Sequence, residues 1–295
     1  MSGNVEFHMP VQALMHCHPQ GSDMTRAATK ASGRVLQIAV LECEQMPPYI
    51  VQSHGNFAKI FERWLLAGTH QLNIGKPAHE RISVKAYSFN VKEGHYPSSF
   101  QGIDAIIISG SVNGVNDDLP WIATLRRFLL GVYHNLPWIK IFGSCFGHQL
   151  IAQTLLGDHG VHVKRSNGGW EVGVQEVYHD DSFAQNFPSL SESPMCYQFL
   201  HSDEVVAEDN LPPTWSSIGS SSLCQIQGLY QPGRVLTYQQ GHPEFDRIIM
   251  NDFVRRLVKA GAIDAAVSGT YLAFVERDDT RILAAEVFLG FLTVD

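Results

Sequence analysis

Three short stretches carry residue types whose spacing could do covalent chemistry. The first is Gly143-Ser144-Cys145-Phe146-Gly147-His148-Gln149, between an apolar run at residues 138–142 and an apolar segment of helical character at 150–156. A strand that turns sharply into a helix, with glycines two residues before and after a Cys, is the nucleophile-elbow pattern. The glycines permit a tight turn whose apex side chain projects from the carboxyl end of a sheet. Helix amides beginning just after the apex turn partial positive charge toward that side chain, which suits the thiolate form that attacks. A lone Cys is more often a buried packing residue; the flanking glycines argue for a nucleophile.

The second stretch, Gln240-Gly241-His242-Pro243-Glu244, supplies what a thiol needs: a base, and a group to orient that base. It follows an apolar strand at 234–238 and precedes a helix. His242 and Glu244 can face the same side of an extended turn, with Pro243 fixing the geometry between them. The chain has 14 histidines, so a His near a Glu says little by itself. The third stretch, Ser109-Gly110-Ser111, closes an isoleucine-rich strand. Its free amides, with that of Phe146, could meet a developing oxyanion, each donor being worth roughly 2.7–4 kcal/mol in the transition state. Packing alone accounts poorly for three such turns, all at strand ends.

The elements that must position these turns alternate. Residues 34–41 read as a buried strand, 54–67 as a helix with Phe57, Ile60, Phe61, Trp64 and Leu65 on one face, and 81–89 and 105–108 as strands. A helix over 120–134 has Pro120 in its first turn. Alternation of this kind implies a parallel sheet covered on both faces. After Gly157 the pattern changes: 171–178, 194–200, 223–230 and 234–238 read as strands joined by Ser, Gly and Pro loops, a mixed or antiparallel extension. An amphipathic helix over 245–260 and two helical patterns over 263–294 follow. The expected division is a poorly ordered tail over 1–33, a main domain over 34–261 and a helical extension over 262–295.

Composition narrows the function. At 295 residues the chain can bury a large core, and 44% hydrophobic with 17% charged residues is ordinary for a globular protein. A net charge of -8 argues against nucleic-acid and anionic-membrane partners. The five cysteines include no CxxC pair, so neither a zinc site nor a disulfide framework is expected, and a reducing compartment fits. No secretory signal is visible, and no apolar run nears the ~20 residues of a membrane span, so the cytoplasm is the expected location.

The two main motifs carry a resemblance. The chain resembles class I glutamine amidotransferases, whose hallmark is Gly-x-Cys-x-Gly-x-Gln followed downstream by Gly-His-Pro-Glu, and the match runs over residues 35–257. The resemblance implies a three-layer α/β/α sandwich with a mostly parallel, flavodoxin-like central sheet and a small antiparallel extension. It implies Cys145 as nucleophile, His242 as base and Glu244 as its orienter, with oxyanion amides from Gly110 or Ser111 and Phe146. Gln149 and the turn His201-Ser202-Asp203 match segments that hold the amino and carboxylate groups of a γ-glutamyl substrate. Gly169-Trp170-Glu171-Val172-Gly173 matches a strand of stand-alone members. No cofactor or metal is implied. Two positions depart from the family pattern. Ser144 stands where Ile or Val usually precedes the Cys, and Gly110-Ser111-Val112 replaces Gly-Gly-Pro, a form that resembles the γ-glutamyl peptidase branch.

The expected activity is hydrolysis of the glutamine amide through a Cys thioester, with ammonia released for a separate acceptor enzyme, since no synthetase or Walker loop is evident. Cleavage of γ-glutamyl peptides or glutathione conjugates is the alternative, and a catalytically silent binding protein a further one. A Cys-type α/β-hydrolase is disfavoured because His242 precedes Glu244, and a dinucleotide fold because Leu41-Glu42-Cys43-Glu44 holds no glycine fingerprint. Residues 69–97 and 212–222 are candidate frames for a specificity pocket, although such segments are more often solvated loops.

Overall fold

The structure, a computed structural model, describes residues 33–187, 189–190, 194–238 and 241–293. Apart from Gly33, the tail expected over 1–33 lies outside the described residues. The strands are β1 Arg34–Glu42, β2 Ile82–Asn90, β3 Ala105–Ile108, β4 Lys140–Ser144, β5 Val161–Arg165, β6 Glu171–His179, β7 Met195–His201, β8 Asp203–Ala207, β9 Ser216–Ser217, β10 Gly219–Ser220, β11 Leu229–Gln231 and β12 Val235–Tyr238. The helices are α1 Pro48–His54, α2 Phe57–Leu72, α3 Pro120–Asn135, α4 Phe146–Leu156, α5 Asp181–Ala184, α6 Arg247–Lys259, α7 Ala265–Val275 and α8 Arg281–Thr293.

Seven strands form the central sheet in the order β2-β1-β3-β4-β12-β11-β9. The five from β2 to β12 run parallel, and β11 and β9 add antiparallel pairs at one edge. β3 and the 38–41 stretch of β1 are continuously apolar because both faces are covered. Leu36, Ile38 and Val40 of β1 face one core with α2, α6 and α8, while Ala39 and Leu41 face another with α3 and α4. Each large side chain so buried contributes about 1.5–3 kcal/mol. The expected sandwich and mostly parallel sheet are present. The antiparallel strands form two smaller sheets, β10-β6-β7 and β5-β8.

The last two helices pack into the first of these cores. Phe288 stacks on Trp64 with ring centroids 6.1 Å apart and 9° between planes, and lies 4.3 Å from Phe142. Among the described residues no helix is long and apolar enough to cross a membrane.

Two local expectations differ from the structure. A short helix that the sequence does not announce opens after Pro47, with Pro48 in its first turn, where a missing N–H costs nothing. Gly55, at φ 84°, ends that helix, and the Asn56 side chain accepts from Lys59 N to begin α2, so one continuous helix from residue 54 does not form. The strand expected over 223–230 shrinks to Leu229–Gln231, because Ser221 and Gln227 turn inward to a buried carboxylate.

Candidate active site

The sheet brings the three turns together. β3, β4 and β12 are adjacent and parallel, with Ile108 opposite Gly143 and Tyr238 opposite Ser144. Each turn therefore leaves the same carboxyl edge, the usual place for ligands in open α/β sheets. Cys145 sits between β4 and α4 at φ 51° and ψ -113°, and it is the one non-glycine residue with positive φ among those described. Such a conformation costs on the order of 1–3 kcal/mol and persists only where surroundings enforce it. Gly147 is part of that enforcement: a Cβ there would lie 2.1 Å from the Ile108 carbonyl oxygen, so the helix could not approach β3 closely enough.

His242 and Glu244 follow β12. The His242 backbone N donates to the Gln198 carbonyl at 2.6 Å, tying the turn to β7. Its Nδ1 lies 2.8 Å from Glu244 Oε1, both side chains being buried. Phe245 stacks flat on the imidazole, with centroids 4.3 Å apart and planes 7° apart. Burial alone would depress the His242 imidazolium, but the Glu244 carboxylate and the hydrogen-bonded Cys145 sulfur outweigh it and hold its pKa up at about 10.

His148, three residues after Cys145, shows the opposite case. It is equally buried, but its Nδ1 meets only the Thr237 hydroxyl at 2.8 Å, and burial followed by nearby His201 pulls its pKa down to about 3. A carboxylate partner separates the two histidines.

Gly110 and Ser111 form one lip of the cleft. A Cβ on Gly110 would lie 2.8 Å from His242 Cε1 and 3.6 Å from Cys145 Cβ, so the loop backbone rests directly on the Cys–His pair. Ser109 anchors that loop: its hydroxyl donates to the Gly110 carbonyl at 3.0 Å and accepts from Cys43 N at 2.9 Å. Phe146 N begins α4 beside the thiol.

Cys145 opens into a cavity of about 520 Å³ whose wall includes Gly110, Ser111, Phe146, Gln149, His201, Ser202, Asp203 and His242. Every candidate residue named from the sequence thus touches the cavity, except Glu244, which lies behind His242. His201 is a special case. Its Nε2 lies 2.7 Å from Glu171 Oε2 and its Nδ1 3.0 Å from the Asp203 carbonyl oxygen, so both ring nitrogens are committed to the protein. Its geometry suits holding the Ser202-Asp203 turn.

Burial raises the Glu171 carboxyl, but hydrogen bonds from His201, Ser221 and Gln227, with the His201 charge, leave it below the usual carboxylate range. Trp170, of the 169–173 motif, also lines the wall; no motif marks Met46, Phe57, Phe253 and Leu257, which are apolar, or Arg165 and Arg256, which bring cationic groups. Arg165 lies over the Trp170 ring, 5.5 Å from its centroid, and 3.4 Å from Asp203 Oδ1. Residues 69–97 and 212–222 contribute nothing to this wall; 82–90 of the first segment is instead the outer strand β2. Among the described residues no group of three or more His, Cys, Asp or Glu is arranged to hold a metal ion.

Comparison with known proteins agrees with this architecture. The family model for glutamine amidotransferase class-I matches residues 75–254. The chain is 30% identical over 222 residues to a glutamine amidotransferase-like protein of Schizosaccharomyces pombe, spanning 75% of this chain and 84% of that one. It is 27% identical over 201 residues to Gamma-glutamyl peptidase 4 of Arabidopsis thaliana, spanning 65% and 74%. A solved glutamine amidotransferase from Thermotoga maritima shares the fold, with a TM-score of 0.59 and 16% identity over 88% of this chain and 99% of that chain. The chain belongs to the class I glutamine amidotransferase family.

Proposed function

We propose that the protein hydrolyses a γ-glutamyl amide, with Cys145 as nucleophile, His242 as acid and base, and Glu244 as the group that orients His242. The observation that carries this reading is the buried Glu244–His242 pair aimed at a strained Cys145 at the floor of a cavity. The Cys145 sulfur, its proton passed to His242, attacks the δ-carbonyl carbon, and the carbonyl electron pair moves onto oxygen, where the amides near Ser111 and Phe146 receive it. His242 gives its proton to the leaving nitrogen as the C–N bond breaks, leaving a γ-glutamyl thioester. His242 then takes a proton from water, the hydroxide displaces the sulfur, and glutamate leaves. Gln149 and the 201–203 turn hold the α-amino and α-carboxylate groups.

Two leaving groups fit this chemistry. With glutamine the amine is ammonia, passed to a separate acceptor enzyme. A relative from Thermoplasma acidophilum, named as part of a glutamine-hydrolyzing GMP synthase and 28% identical over 162 residues, is in keeping with that. With a γ-glutamyl peptide or conjugate the amine is larger. The cavity favours this second reading: about 520 Å³ falls in the ~300–1,000 Å³ range that encloses drug-sized ligands, more room than one amino acid needs. Its apolar wall of Met46, Phe57, Phe253 and Leu257 suits an amine with more bulk than ammonia. The test offers purified protein glutamine, a γ-glutamyl dipeptide and a γ-glutamyl conjugate, and compares kcat/KM. Preference for the peptides supports the second reading, preference for glutamine supports the first, and no turnover of any of them refutes both.

A further inference from the structure

Ser144 is the last residue of β4 and is fully buried. Its hydroxyl lies 3.1 Å from the Gly241 carbonyl oxygen, and 3.2 and 3.4 Å from Glu244 Oε1 and Oε2. Among the described residues, the donors that reach the Glu244 carboxylate are this hydroxyl and His242 Nδ1. On another side Glu244 borders a second, smaller cavity of about 70 Å³, whose wall includes Arg63, Arg281, His54 and Asp246.

A buried carboxylate beside an opening whose wall includes Arg63 and Arg281 has a competing direction in which to turn. Turning there would break its bond to Nδ1 and free the imidazole to rotate away from the thiol. Ser144, a donor that is not part of that cavity's wall, resists this, because a hydrogen bond to an ionised acceptor is stronger than one between neutral groups. An aliphatic side chain at 144 could not supply it.

We propose that Ser144 is a positioning residue, whose hydroxyl holds the Glu244 carboxylate toward His242 and so keeps the imidazole aimed at Cys145. The proposal rests on the Cys145–His242–Glu244 reading of the site. The plainer role for the hydroxyl is to satisfy the Gly241 carbonyl, which would affect folding without acting through Glu244.

The two roles separate in a double-mutant cycle of Ser144→Ala and Glu244→Ala on a γ-glutamyl substrate, with unfolding midpoints measured alongside. Positioning predicts that Ser144→Ala lowers kcat about tenfold and leaves KM within twofold. In the Glu244→Ala background the same change should then cost less than twofold. An equal loss in both backgrounds, or an unchanged kcat in the single variant, overturns the proposal. Ser144→Gly removes the same hydroxyl and replaces the alanine variant if that one fails to fold.

A second readout needs no substrate: the pH profile of Cys145 alkylation by iodoacetamide. Loosening Glu244 weakens imidazolium support for the sulfur, so the half-maximal rate of Ser144→Ala should move to higher pH than in the wild type. An unchanged profile overturns positioning. A wild type that hydrolyses no γ-glutamyl substrate refutes the enzymatic reading separately, and the alkylation profiles still decide the contact.

Discussion

Replacing Gly110 by alanine should damage catalysis through a single methyl group. The added Cβ would lie 2.8 Å from His242 Cε1 and 3.5 Å from its Nε2, whereas ordinary contact begins near 3.4 Å. The imidazole or the loop must therefore give way by about 0.6 Å, the difference between 3.4 and 2.8 Å. The ring has little freedom to comply, with Phe245 stacked on it and Nδ1 held by Glu244 at 2.8 Å. A misplacement of about 1 Å can cost 10²-fold in rate, so the expected fall in kcat/KM is on the order of 10- to 100-fold. Gly110 lies outside the left-handed region, so alanine adds no backbone strain, and the overpacking penalty should stay within about 1–3 kcal/mol. The assay is steady-state hydrolysis of a γ-glutamyl dipeptide, with urea unfolding as the control. A folded Gly110→Ala protein within threefold of wild-type kcat/KM would show that the loop does not press on a working Cys–His pair.

Other perturbations have equally definite outcomes. Cys145→Ala should abolish hydrolysis with a thermal midpoint near wild type, while Cys145→Gly, relieved of the positive-φ strain, should be the more stable by about 1 kcal/mol in denaturant unfolding. His242 has a folded pKa of about 10 against roughly 6.5 unfolded, so its stabilisation is full below pH 6.5 and is lost as pH rises through about 10. Glu244→Gln should flatten that part of the stability–pH curve in urea titrations, and equal slopes in the two proteins would contradict the ion pair. Phe288→Ala removes a fully buried ring packed on Trp64 and Phe142 and should cost about 3–5 kcal/mol by urea unfolding, showing that α8 belongs to the core. Glu244→Ala should lower kcat less than His242→Ala, since Glu244 transfers no proton.

The parts of this fold that are legible in the sequence are those where local pattern and tertiary demand coincide. β3 and the 38–41 stretch of β1 are buried on both faces and so read as unbroken apolar runs. β5 and β8 pair only with each other, and exposed ends such as Lys164 and Arg165 break the apolar signal. Residues 223–228 alternate like a strand, yet the buried Glu171 draws Ser221 and Gln227 out of any such ladder. The same division holds in the site. Cys145, His242 and Glu244 are flanked by Gly and Pro residues whose turn chemistry is local. The Ser144 contact and the commitment of His201 to Glu171 depend on strands brought together from distant parts of the chain. Glu171 stands in a recognisable motif, but its role depends on His201, 30 residues away. For Ser144 the signal is an atypical hydroxyl before the Cys, and its partner emerges only once β4 and β12 are side by side.

The most direct test of the central claim is intact-protein mass spectrometry after acid quench during turnover of a γ-glutamyl substrate. The account predicts a mass increase of one glutamyl residue, mapped by digestion to the peptide that carries Cys145 and absent from Cys145→Ala. Steady hydrolysis with no adduct, or with the adduct on another residue, would contradict it.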